Sequence, residues 1–147
     1  MPQSLAKLWV HLIFSTRDRY PFLSDPSLRA KTHAYVLRSH GCDTLIVGGV
    51  EDHVHALFGL SRNYSISEIV KEIKRTSSSW VKEQSAQSKF SWQRGYGAFS
   101  VSQSHLEQVI KYIEQQGEHH RRKTFQDEYR AFLKKYYADY DERYVWD

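Results

Sequence analysis

Stretches of strand-forming residues and stretches of helical periodicity follow one another along this chain, and their order predicts a fold. Residues 7–15 (around Trp9-Val10-His11-Leu12-Ile13-Phe14) are rich in strand formers and read as a first strand. Asp25 offers an N-cap and Pro26 a first helical residue, so a helix is expected from 26 to about 40, ended by Gly41. Residues 44–48 and 53–60 read as the two strands of a hairpin turned at 48–52. Ser65 and Glu68 have the spacing of a capping box, and Ile66, Ile69, Val70 and Ile73 give the apolar stripe of a helix running to about 84. Residues 85–97 read as loop and 96–101 as a fourth strand. Ser104 and Glu107 repeat the capping-box spacing, predicting a helix through Tyr112 to Gln116 that Gly117 closes, and 123–137 reads as a last amphipathic helix.

The order βαββαβ, followed by helices, is that of an α+β split-βαβ sandwich, ferredoxin-like or RRM-like, with added C-terminal helices. No repeat or linker divides the chain, so 1–147 reads as one domain with a helical tail from about 121. The first two helices are expected to cover one sheet face and leave the other open. Strand alternation then sorts the residues of 53–60. Val54, Ala56, Phe58 and Leu60 form an apolar set suited to the helix-covered core. His53 and His55 share the opposite face one strand repeat apart, a spacing that lets two imidazoles converge on one metal ion. Tyr112 and Gln116, at i and i+4, project from one face of their helix.

Composition narrows the setting. The 147 residues are 40% hydrophobic and 26% charged, which suits a globular domain and argues against disorder. No apolar run approaches the ~20 residues of a membrane helix, and the first 14 residues are too short and too polar for a leader. Cys42 is the only cysteine, which excludes a disulfide scaffold and a cysteine zinc site and implies a reducing, cytoplasmic location. The net charge is +4 and aromatics are 14%, a combination suited to a polyanion with stackable bases. Between Ser61 and Phe99 there are seven basic and three acidic residues, so this segment alone matches the whole excess. Within it, Lys71, Lys74 and Arg75 on the second helix are candidates for contact with a phosphate backbone, and Arg94, between Trp92 and Tyr96, for a base.

A His-hydrophobic-His on a middle strand, followed by a helix bearing Tyr112-Ile113-Glu114-Gln115-Gln116, resembles the single-tyrosine HUH transposases of the smallest bacterial insertion sequences, a group that includes the repeat-associated tyrosine transposases. The likeness extends to the opening strand Trp9-Val10-His11-Leu12-Ile13-Phe14-Ser15-Thr16-Arg17 and to Ser91-Trp92-Gln93-Arg94-Gly95-Tyr96-Gly97-Ala98-Phe99-Ser100, and covers about Trp9 to His119. The resemblance implies an enzyme that cleaves and rejoins single-stranded DNA at hairpin-bearing ends through a 5′-phosphotyrosine. By position it implies Tyr112 as nucleophile and His53, His55 and Gln116 as ligands of a divalent ion, Mg²⁺ or Mn²⁺. It also implies a homodimer in which each tyrosine helix completes the partner's site. It names no general base, leaves Asp52 evenly divided between aiding the metal and serving the turn, and transfers nothing onto the tail.

Rival readings remain at this level. A host enzyme that processes repeats would carry the same motifs. A noncatalytic RRM-like nucleic-acid binder would need aromatics at the middle of the open sheet face, where this chain has histidines. In a structural metal-binding protein Tyr112 would be dispensable.

Overall fold

The computed structural model describes residues 2–36 and 41–147. Four strands, β1 (Trp9–Ser15), β2 (Asp43–Gly49), β3 (His53–Gly59) and β4 (Gly97–Val101), form one antiparallel sheet in the order β2-β3-β1-β4. Helix α1 (Pro26–Val36) links β1 to β2 and helix α2 (Ile66–Gln84) links β3 to β4, the split-βαβ topology expected. The C-terminal part adds α3 (Leu106–Glu114), α4 (Gln116–His119) and α5 (Phe125–Lys135). The expected end of the first helix near residue 40 lies outside the described residues; Gly41 has a left-handed φ of 67°. Among the described residues no helix is long and apolar enough to cross a membrane.

Alternation builds two cores. Leu12, Phe14, Val54, Ala56 and Phe58 point to one face and pack under α1 and α2 against Leu28, Val36, Ile69, Val70, Ile73 and Val81. Helix α2 starts as its capping box dictates, with the Ser65 hydroxyl accepting from the Glu68 amide at 3.2 Å. The other face is not open. Helices α3 and α5 of the same chain lie over it, through Leu106 and Ile113 on one side and Phe125, Tyr129 and Leu133 on the other. As a result His53, His55 and Leu57 are fully buried. The apolar stripe of the last helix had to be covered by something, and this face is its partner.

Two helix boundaries differ from expectation. The Ser104 capping box does not form: α3 starts at Leu106, after a 3₁₀ turn at Gln103–His105, with no side-chain cap. Ser102 and Ser104 turn instead to His105 Nδ1, at 2.7 and 3.2 Å. Gly117 does not end the tyrosine helix either. The helix bends at Gln115 (φ −94°, ψ 17°), and α4 continues through Gly117 because the amides of Gln115, Glu118 and His119 still find carbonyls at 3.0–3.1 Å.

One row across the sheet explains how both helices come so close. Gly48, His55, Ile13 and Gly97 stand side by side on the four strands. A methyl at Gly48 would lie 2.8 Å from Ile113 Cγ2, and one at Gly97 would lie 2.5 Å from Tyr129 Cε2. The missing side chains at the two ends of the row are the seats of α3 and α5. Gly48→Ala and Gly97→Ala should each cost about 1–3 kcal/mol by overpacking, read as a lower urea midpoint at unchanged slope.

Candidate active site

The two glycine seats frame His55, and the helices bring their polar residues down beside it. From β3, His53 and His55 point up from the sheet. From the bend after α3, Gln116 turns inward with only 1% exposure. His120 follows α4, and Glu128 comes from the middle of α5 with 4% exposure. One nitrogen each from His53, His55 and His120 and one carboxylate oxygen of Glu128 all lie within 4.8 Å of one another.

The carboxylate of Glu128 divides its two oxygens. Oε1 faces His55 Nε2 at 2.9 Å, His120 Nε2 at 3.3 Å and His53 Nε2 at 3.4 Å. Oε2 accepts from the Tyr112 hydroxyl and from Gln116 Nε2 at 3.2 Å. The amide oxygen of Gln116 meets His53 Nε2 at 3.1 Å and His120 Nε2 at 3.0 Å. The four residues singled out by motif, His53, His55, Tyr112 and Gln116, are thus brought together within one chain.

Each histidine of the pair is oriented from behind. The Nδ1 of His53 donates to Asp52 Oδ1 at 2.7 Å, leaving Nε2 aimed into the cluster. The Nδ1 of His55 lies 2.8 Å from Nε2 of His11, which is itself buried on β1. An imidazole behind His55 can donate to Nδ1 or accept from it. His11 therefore supports His55 both when Nε2 carries a proton and when Nε2 offers a lone pair. Such partners fix ring orientation and raise ligand basicity in histidine metal sites.

Charges follow the contacts. Burial opposes the charged form of His53, but hydrogen bonds to Asp52 and Glu128 outweigh it and raise its pKa to about 9. His55 is lowered to about 4, chiefly by burial, with Glu128 opposing. His11 is lowered to about 3, by burial first and then by His55. Burial alone would raise the Glu128 carboxyl, yet hydrogen bonds from His120, His53 and His55 hold it well below the usual carboxylate range. Tyr112 is pushed above the usual phenol range, by burial first and then by the Glu128 charge.

The donor set fits a divalent cation, with three imidazole nitrogens, one carboxylate oxygen and the Gln116 amide oxygen all in reach. Motif reading missed Glu128, His120 and His11. The signal for Glu128 was present: it shares the apolar stripe of Phe125, Tyr129 and Phe132, where an acid is out of place.

The basic candidates lie elsewhere. Lys71, Lys74, Arg75 and Arg94 line one groove of about 470 Å³ between α2 and the loop before β4, walled by Tyr96 and Trp92. Lys71, Arg75 and Arg94 are exposed there, with Arg75 paired to Glu72 at 2.7 Å. Lys74 is turned inward. Its ammonium donates to the carbonyls of Gln93, Arg94 and Gly95 at 2.8, 3.3 and 2.6 Å, and burial lowers its pKa to about 8. Trp92 belongs to the core, with Nε1 donating to Ser77 Oγ at 3.0 Å.

The fold is an α+β sandwich that carries a buried cluster of three histidines and one glutamate able to hold a metal ion, with a tyrosine beside it. The chain belongs to the IS200-like transposase family, whose profile it matches over residues 4–116. It is similar in structure to a candidate transposase from Deinococcus radiodurans, at 25% identity and a TM-score of 0.59, over 79% of this chain and 98% of that one. It also shares its fold with a REP-associated tyrosine transposase bound to a REP hairpin, at 14% identity and a TM-score of 0.58, over 82% of this chain and 73% of that one. No curated protein sequence matches it. The family match ends at Gln116, so His120 and Glu128 lie beyond it.

Mn²⁺ should raise the melting temperature of the purified chain, and His53→Ala/His55→Ala should abolish that rise. Asp52→Ala and His11→Asn should each weaken Mn²⁺ binding about 10–100-fold by calorimetry, the usual cost of losing an orienting partner.

Proposed function

We propose that this protein cuts and rejoins single-stranded DNA at hairpin-bearing ends, with Tyr112 as the nucleophile and a divalent ion held by His53, His55, Gln116 and Glu128. The observation that carries this reading is the shared carboxylate. Glu128 turns one oxygen to the imidazoles and the other to the Tyr112 hydroxyl, so nucleophile and metal donors are tied through one side chain. Family membership supports the reaction class, and the REP hairpin held by the structural relative supports folded single strands as substrate.

In this reading Tyr112 Oη, held in direction by its hydrogen bond to Glu128 Oε2, forms a bond to phosphorus and releases its proton to solvent. The bond from phosphorus to the 3′ oxygen breaks, and that oxygen leaves as a hydroxyl after taking a proton from solvent. The 5′-phosphotyrosine conserves the bond energy, and attack by an incoming 3′-hydroxyl reverses the step. A divalent cation, when bound, supplies positive charge that polarises the scissile phosphate and offsets the Glu128 charge opposing tyrosine ionisation. The mixed nitrogen and oxygen donor set suits Mn²⁺ better than Mg²⁺, which favours oxygen octahedra. The groove of Lys71, Arg75 and Arg94 then carries DNA backbone outside the catalytic centre, while Lys74 shapes its wall.

The resemblance expects a homodimer with the tyrosine acting in trans. The placement of Tyr112 favours action within one chain, because its ring lies 5.8 Å from that of His55. Mixing Tyr112→Phe with His53→Ala/His55→Ala distinguishes the two: recovered cleavage means trans, and none means cis.

Tyr112→Phe should fold and bind hairpin DNA yet form no covalent adduct on denaturing gels with 5′- and 3′-labelled strands. A linked peptide mapping to Tyr129, Tyr136 or Tyr137 would overturn the assignment. Gln116→Ala should slow cleavage without abolishing it, since water can take its place. Replacing Lys71, Arg75 and Arg94 with alanine should weaken binding and flatten the dependence of affinity on salt, as fewer phosphates are neutralised.

A further inference from the structure

Tyr112 and Glu128 line a cleft of about 690 Å³ between α3 and α5, distinct from the basic groove beside α2. We infer that this cleft seats one unpaired nucleotide of the DNA strand, the one next to the phosphate that Tyr112 attacks. The inference rests on the function proposed above and locates its substrate.

Three observations carry it. The first is position: Tyr112 and Glu128 line the cleft, with His11 beside them, so whatever enters is delivered to the nucleophile. The second is shape and surface. Val109 on α3 faces Phe132 and Tyr136 on α5, and these two rings are stacked on Phe99 of β4 at 5.6 and 4.7 Å. Fixed aromatic and aliphatic walls accept any base, because every base has a π-face. The volume lies within the usual range for small-ligand sites, about 300–1,000 Å³. The third is charge. The acid in the cleft, Glu128, is already hydrogen-bonded to the imidazoles at its inner end, while Lys123 and Lys135 add positive charge to the lining. His119 lies against Tyr112 with ring centroids 4.7 Å apart and planes tilted by 34°, and its Nε2 is buried with no hydrogen-bond partner among the described residues. An apolar slot with cationic residues at a phosphate-cleaving tyrosine matches a nucleotide: base between the walls, phosphates toward the lysines.

The cleft includes a position suited to a clean test. Ala131 is exposed on α5 and lines the cleft, so Ala131→Trp fills it from a surface site. Lys135→Glu reverses a charge at an exposed position. The probe is an eight-residue oligothymidylate carrying one photoreactive 4-thiothymidine, added to the full chain with Mn²⁺. Crosslinked peptides are mapped by mass spectrometry, and affinity is read by fluorescence anisotropy. The inference expects crosslinks in the segments holding His119 or Phe132 and Tyr136. It also expects at least a tenfold loss of affinity in each variant, with Mn²⁺ binding and melting temperature unchanged. Crosslinks confined to Arg94 and the α2 groove, with both variants binding as tightly as the parent, would overturn it. The proposed chemistry fails separately. Crosslinking in the cleft without a Tyr112 adduct on any hairpin strand would overturn the nuclease reading and leave the nucleotide site standing. A normal adduct rate in Ala131→Trp would overturn the site and leave the nuclease.

Discussion

A single buried carboxylate organises the upper half of this molecule. Leaving Glu128 unpaired in a site with 4% exposure would cost several kcal/mol, so its surroundings must supply donors. They do so from every neighbouring element: His53 and His55 from β3, Gln116 and His120 from the segment after α3, and Tyr112 from α3 itself. The same contacts hold α5 in register over the sheet, because sliding the helix by one residue would strand the charge among Phe125, Tyr129 and Leu133. Fold and site are thereby coupled. The helix is docked by apolar residues and aligned by the polar cluster.

Most of the architecture was legible in the sequence because it rests on local rules. Alternation at 53–60 sorts the apolar residues from the histidines, and the Ser65–Glu68 box starts α2 where spacing predicts. What local rules missed was competition. Ser104 has the spacing of a cap, but His105 sits close enough to take its hydroxyl. Gly117 looks like a terminator, yet nothing forces it into a left-handed conformation, and the helix bends two residues earlier. The sheet face expected to stand open is covered because the amphipathic tail of the same chain reaches it, a long-range fact that no window of residues contains.

The site divides in the same way. His53, His55, Tyr112 and Gln116 stand at spacings that, taken together and in order, resemble a family pattern. Glu128, His120 and His11 acquire meaning only once the chain has folded, since they are 73, 65 and 44 residues from His55. Lys74 shows the converse. By sequence it is one more base on a helix facing DNA, but its position opposite the loop before β4 commits its ammonium to three backbone carbonyls.

The glycine row sets a distance as well as a clearance. Gly48 and Gly97 lie on the two edge strands, three strand spacings apart, or about 14 Å at ~4.8 Å each. Two helices in ordinary side-by-side contact have axes about 8–10 Å apart. Helices seated over opposite edges of a four-stranded sheet therefore cannot close on each other, however their side chains repack. The gap between α3 and α5 is a property of strand count: a three-stranded version of this sheet would bring the two helices into contact and close the cleft that Tyr112 lines.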